Sequence, residues 1–187
     1  MYQMISSAGS RTIAPDEATM SKDIITFAAG ECVLGQVLVA RSALGVCAIL
    51  IGADAGDLKN DLAKRFPGST LIANETRLRD ELSKVVRFLA TPREGIDLTL
   101  DMRGTPFQRL VWDALRAIPV GSTVTYAELA RRVGGPRFAR AVASACAANP
   151  IALAVPCHRV IRSDGTLSGY RWGVERKRVL LRKEAAA

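Results

Sequence analysis

Thr125-Tyr126-Ala127-Glu128-Leu129-Ala130-Arg131-Arg132-Val133-Gly134-Gly135-Pro136-Arg137-Phe138-Ala139-Arg140-Ala141-Val142-Ala143-Ser144-Ala145-Cys146-Ala147-Ala148 reads as two short helices around a glycine turn. Thr125 can start the first, with Leu129, Ala130 and Val133 at helical spacing. Gly134-Gly135-Pro136 breaks it, and a second helix runs from Arg137 through about Ala148. That is a helix-turn-helix pattern. The second helix is unusual for a base reader, because major-groove discrimination needs several long polar forks. Only Arg137 and Arg140 reach far here, and alanine dominates the rest. A surface reduced to methyl groups, with Ala139 between the arginines and Ser144 one turn beyond Arg140, suits close approach to a narrow groove, so the expectation is minor-groove contact with little sequence preference. The competing reading is an alanine-rich helix packed inside the protein.

Upstream, Gly104-Thr105-Pro106 is a helix start, with Thr105 as N-cap and Pro106 in the first turn. Phe107, Leu110, Val111, Ala114 and Leu115 follow on one face, and Pro119 and Gly121 end the helix. The first half reads differently. Ile24 to Phe27, Gly35 to Ala40 and Val46 to Ile51 read as strands separated by glycine-bearing turns, a small antiparallel sheet. Asp57 to Phe66 and Glu75 to Ala90 are helical, and Ile96 to Leu100 alternates as a strand returning to the sheet. Met1 to about Ser21 has no periodicity and is expected to be a disordered leader or a linker remnant, with Met20 an alternative start. The expected division is a leader at 1–21, an α/β domain at 22–95 and a helical domain at 96–187.

Of 187 residues, 49% are hydrophobic, ample for a core. No apolar run approaches a membrane span and no export signal is evident, so a cytoplasmic protein is expected. The net charge of +8 is uneven: residues 1 to 92 hold 10 Lys/Arg and 10 Asp/Glu, whereas residues 93 to 187 hold 16 and 8. A basic second half fits either a polyanion partner or a solvated basic surface.

Downstream, Asn149-Pro150 ends the second helix, and eight residues from Asn149 lies Cys157 in Val155-Pro156-Cys157-His158-Arg159-Val160. His158 is the only histidine of the chain and Cys157 one of four cysteines. A thiol near its reference pKa is only a few per cent ionised at neutral pH, so a reactive Cys157 needs a proton acceptor, and His158 is the only imidazole available. In a regular strand the two side chains would point to opposite faces, so a bend after Pro156 or a bridging water is required. A buried structural cysteine is the bland alternative. Cys32, Cys47, Cys146 and Cys157 contain no C-x-x-C pair, so no metal site and no cofactor is expected.

Arg140-Ala141-Val142, Asn149-Pro150, Pro156-Cys157-His158-Arg159-Val160 and Gly165-Thr166-Leu167-Ser168-Gly169-Tyr170 occur in one order. Together they resemble the O6-alkylguanine-DNA alkyltransferase family, most closely the C-terminal half of bacterial Ada proteins, over roughly Thr26 to Glu184. The resemblance implies an α/β, ribonuclease H-like N-terminal domain and a mostly α, winged-helix (helix-turn-helix) DNA-binding domain. It implies transfer of the methyl group of O6-methylguanine, and of O4-methylthymine, in double-stranded DNA onto Cys157, in a single turnover by a monomer. His158 would take the thiol proton through a water and Glu184 would orient the imidazole. Tyr126 would bond the departing guanine and crowd its phosphate, Arg140 would fill the stack left by the flipped base, and Asn149 would be a hinge. Tyr170 and the backbone near Val155, Cys157 and Val160 would line the base pocket, and Trp172 would narrow it against bulky adducts. The chain lacks the cysteine-rich regulatory part of complete Ada proteins, so phosphotriester repair and inducible transcription are not expected. Two other readings are a non-catalytic protein that binds alkylated DNA, which the presence of Cys157 disfavours, and a Cys-His hydrolase, which lacks a recognisable oxyanion site.

Overall fold

The computed structural model describes residues 23–167 and 169–186. The expected leader, and Ser168 of the glycine-rich motif, lie outside the described residues. The sheet is built from β1 (Ile24–Cys32), β2 (Gly35–Arg41), β3 (Val46–Gly52) and β4 (Thr70–Ala73), in the order β3-β2-β1-β4. The first three pair antiparallel, as the short connections at 33–34 and 42–45 favour. β4 corrects the expectation of a purely antiparallel sheet, because it pairs parallel with β1, Ile24 opposite Thr70 and Phe27 opposite Ala73. A parallel partner needs a crossover, and α1 (Ala55–Arg65) supplies it. Four residues with little buried alternation left β4 almost no sequence signal.

Asp54 caps α1 by accepting from Gly56 N and Asp57 N, and Asn74 caps α2 (Glu75–Ala90) by accepting from Arg77 N. Leu78, Val85, Phe88 and Leu89 of α2 are buried. Ile96 to Leu100 does not form the expected strand. Only Leu100 bridges Val46, through Val46 N to Thr99 O at 2.8 Å and Asp101 N to Val46 O at 2.8 Å. The reason is competition for one edge: further along β3, Ile49 donates to Pro150 O at 3.0 Å and accepts from Ala152 N at 3.0 Å. The edge of the sheet therefore anchors the segment that leads to Cys157.

The helices follow their caps. α3 (Pro106–Arg116) opens with a reciprocal Thr105–Gln108 capping box, and α4 (Tyr126–Arg132) with a Thr125–Glu128 box. α5 (Ala139–Ala148) starts later than expected, since Pro136–Phe138 forms a 3-10 turn after Gly135 at φ 127°. Trp112 of α3, 1% exposed, donates its indole N–H to Ala145 O at 2.9 Å and fixes α5 from behind. β5 (Val124–Thr125) pairs parallel with β6 (Val160–Ile161), and α6 (Val174–Ala185) closes the fold. Among the described residues no helix is long and apolar enough to cross a membrane.

Candidate active site

The chain reaches the site under local constraint. Ile151 is pinned to the sheet edge, and two residues later Leu153, 2% exposed, adopts φ 70°, a left-handed conformation that costs a non-glycine residue about 1 kcal/mol or more. Asn149, fully buried, holds this bend from inside: its Nδ2 donates to Val155 O at 2.8 Å and its Oδ1 accepts from Ile151 N at 2.9 Å. The same Nδ2 lies 3.4 Å from Cys157 Sγ as a hydrogen-bond donor. After Pro156 the backbone enters a 3-10 turn, Cys157–Arg159, which supplies the bend that the adjacent cysteine and histidine require.

His158 is fully buried. Its Nε2 lies 2.8 Å from Glu184 Oε1, and its Nδ1, also buried, has no hydrogen-bond partner among the described residues. Burial opposes ionisation of Glu184, but hydrogen bonds from His158 and Arg159 outweigh it and hold the carboxyl at about 2. Burial also lowers the pKa of His158. An ionised Glu184 beside a neutral imidazole assigns the proton to Nε2, leaving a lone pair at Nδ1. Cys157 is 5% exposed, and burial pushes its thiol up to about 11 against the Asn149 hydrogen bond and the charge of Lys177. The surroundings therefore do not ionise the thiol by themselves; an acceptor must take its proton.

Two charged residues of this centre escape sequence reasoning. Arg159 donates Nε to Glu184 Oε2 and Nη2 to Glu184 Oε1, each at 2.9 Å, and Nη1 to Ile118 O at 2.5 Å. Lys177, fully buried, donates Nζ to Val160 O at 2.5 Å. Burial lowers the Lys177 pKa, while Cys157 and Cys146 favour its charge. A signal exists in α6: Lys177 shares a helical stripe with the buried Leu180 and Glu184, spacing that directs all three inward.

Beside this centre is a cavity of about 280 Å³. Tyr126, at the start of α4, and Ala143, Cys146 and Ala147 of α5 form one side, with Cys157 in the wall. Gly169, Tyr170 and Arg171 form the other. Tyr170 packs edge-on to His158, centroids 6.4 Å apart, and its buried hydroxyl has no partner among the described residues. Tyr126, Cys157 and Tyr170 are thus brought together, with Asn149, His158 and Glu184 behind them. Val155, Val160 and Trp172 are not in the wall. The carbonyl of Val155 is taken by Asn149 and that of Val160 by Lys177, while Trp172 lies behind Tyr170, centroids 5.1 Å apart.

Toward solvent, Arg140, Ala141, Ser144 and Ala147 of α5 are exposed, Ala147 at the border with the cavity, while Val142, Ala145 and Cys146 are buried. The alanine-rich helix is therefore packed on one side and bare on the other. Ser144 Oγ donates to Arg140 O at 3.2 Å, so even this hydroxyl is partly spent on its own helix. Arg137 is exposed and stacks on Phe138, 5.0 Å from its centroid, and Ala139 is half-buried. No group of three or more metal-ligating side chains occurs among the described residues.

Residues 106–186 match the model of the 6-O-methylguanine DNA methyltransferase, DNA binding domain. The chain is 49% identical over 161 residues to the bifunctional transcriptional activator/DNA repair enzyme Ada of Escherichia coli, covering 86% of this chain and 46% of that protein. It thus spans about half the length of that relative. It is 41% identical over 124 residues to the inducible methylated-DNA--protein-cysteine methyltransferase of Bacillus subtilis, covering 66% of this chain and 69% of the relative. The structure of the Mycobacterium tuberculosis protein OGT in complex with DNA superposes with a TM-score of 0.65 at 33% identity, covering 87% of this chain and 93% of that one. With the cysteine, its imidazole and the cavity already in place, these likenesses fix the affiliation: the chain belongs to the methylated-DNA--protein-cysteine methyltransferase family.

Proposed function

We propose that this protein repairs alkylated DNA by moving the methyl group of O6-methylguanine, and of O4-methylthymine, onto Cys157, once per molecule. The observation that carries the reading is the cavity-lining thiol beside a buried imidazole whose Nδ1 is unspent and whose Nε2 is held by Glu184. Cys157 Sγ attacks the methyl carbon as the carbon–oxygen bond breaks, and the bonding electron pair stays on the guanine oxygen. The thiol proton passes through a water to His158 Nδ1, and in the net reaction guanine regains a proton at N1. Glu184 stabilises the imidazolium formed on the way, as a carboxylate held by Arg159 is suited to do. Sulfur is a good nucleophile for a soft alkyl carbon, and the thioether it forms has no easy way back.

The same reading gives the remaining residues their work. Tyr126 hydrogen-bonds the departing base and crowds its phosphate, Arg140 enters the stack, and Tyr170 lines the base site with Trp172 bracing it from behind. Asn149 couples α5 to the reactive turn as a hinge. The bare face of α5, with Arg137, Ala139 and Ser144, meets the minor groove of double-stranded DNA with little sequence specificity, and the protein works as a cytoplasmic monomer. In this account residues 22–95 are a ribonuclease H-like domain and 96–187 a winged-helix domain. The test is transfer of labelled methyl from a duplex containing O6-methylguanine. Label should appear on the protein and be absent from a Cys157→Ala variant; label that stays wholly in the DNA, or that the variant still removes, refutes the proposal.

A further inference from the structure

Arg171 forms part of the cavity wall beside Tyr170. Its Nη2 donates to Asp61 Oδ1 of α1 at 2.8 Å, across 110 residues of sequence. Asp61 is shared, because its other oxygen accepts from Arg65 Nε at 3.2 Å, one helical turn along α1. One carboxylate between two guanidinium groups leaves a net positive charge. Arg65 is 13% exposed and Arg171 36%, so Arg171 carries the accessible part of that charge. Asp61 engages one Arg171 donor; the other guanidinium donors have no protein partner among the described residues.

We infer that Arg171, aimed by Asp61, clamps a backbone phosphate of the nucleotide whose base occupies the cavity. This rests on the function proposed above. A base that enters the cavity brings its sugar and two flanking phosphates to the mouth, because they are covalently joined to it. A guanidinium on the rim, tethered at one nitrogen with the rest of its fork unspent, matches a phosphate in charge and geometry. The α1 helix thereby contributes to DNA recognition through Arg171 while lying outside the helix-turn-helix. Asp61 is a positioning residue: it sets the fork without touching DNA.

The experiment compares single-turnover methyl transfer from an O6-methylguanine duplex with transfer from duplexes in which one phosphate flanking the lesion is an uncharged methylphosphonate. For the native protein, one of these replacements should slow transfer about tenfold, the loss of one charge-assisted hydrogen bond. In Arg171→Ala the same replacement should cost nothing further, and Arg171→Lys should restore a partial cost, since it keeps the charge and loses the fork. Asp61→Asn should give a cost between native and Arg171→Ala. A methylphosphonate cost that is unchanged in Arg171→Ala overturns the clamp, and one unchanged in Asp61→Asn reduces Asp61 to packing and overturns its part. Failure of the native protein to accept methyl from the unmodified duplex would instead refute the function itself.

Discussion

The bare face of α5 and the centre beneath it invert the usual distribution of polarity. Outside, where charge is cheap, Ala141, Ser144 and Ala147 offer almost nothing to water beyond Arg140. Inside, His158, Arg159, Lys177 and Glu184 are each 5% exposed or less. Buried charges are costly unless compensated, and the compensation is uneven: Glu184 accepts from His158, Arg159 and Gly121 N, whereas Lys177 donates to the neutral carbonyl of Val160. On the function proposed above, the interior handles one proton, while the surface is stripped so that a helix can lie close to a duplex. The nine residues from Asn149 to Cys157 join the two.

That comparison can be broken from the inside first. Cys157→Ser should abolish methyl acceptance, since an alcohol is a far poorer nucleophile toward an alkyl carbon, and labelled transfer measures it. Glu184→Ala should then cost about 3–5 kcal/mol of stability, because it strands Arg159 and the imidazole inside the protein. Chemical denaturation reads this, and a loss below 1 kcal/mol would mean that the network is not closed.

The pH dependence sharpens the same point. Glu184 is held below its unfolded value, so its contribution is present above about pH 4.5 and lost as pH falls toward about 2. His158 is also lowered by burial, so the unfolded chain takes up a proton there that the folded one refuses, and stability starts to fall below about pH 6.5. Thermal melts should therefore decline from neutral to acid pH, and Glu184→Gln should remove the steeper acid part. A melting temperature independent of pH between about 7 and 4 contradicts the assignment.

The outer face should respond in the opposite way. Ser144→Leu should change stability by less than about 0.5 kcal/mol, as an exposed substitution, yet weaken duplex binding by occluding the close approach. With about four phosphates neutralised, raising salt from about 50 to about 200 mM should weaken binding roughly a hundredfold, and Arg140→Ala should flatten that dependence slightly. Equal binding by Ser144→Leu would move the DNA surface elsewhere.

Much of this was legible in local chemistry. Thr105, Thr125 and Asn149 mark helix ends because their side chains can satisfy backbone groups there, and the Cys157-His158 pair announces itself by scarcity. Glu184 was reachable only through resemblance, since a carboxylate near the end of a chain ordinarily reads as solvated. Arg159 and Lys177 were hidden for the same reason: in a basic half, two more cations look like surface. The cavity role of Cys146 and the Arg171–Asp61 pair depend on contacts between distant segments, which helical periodicity cannot reveal. Strand β4 was too short to alternate, and Ile96 to Leu100 alternates well enough to mimic a strand whose sheet edge is occupied.

On the proposed function, the buried relay serves one thiol that reacts once. Intact-mass spectrometry after exposure to excess O6-methylguanine duplex, followed by peptide mapping, tests it directly. Every active molecule should gain a single methyl group in place of hydrogen, on the peptide carrying Cys157, with no second addition on longer exposure. An unchanged mass, repeated turnover, or a methyl group on Cys146 instead would contradict it.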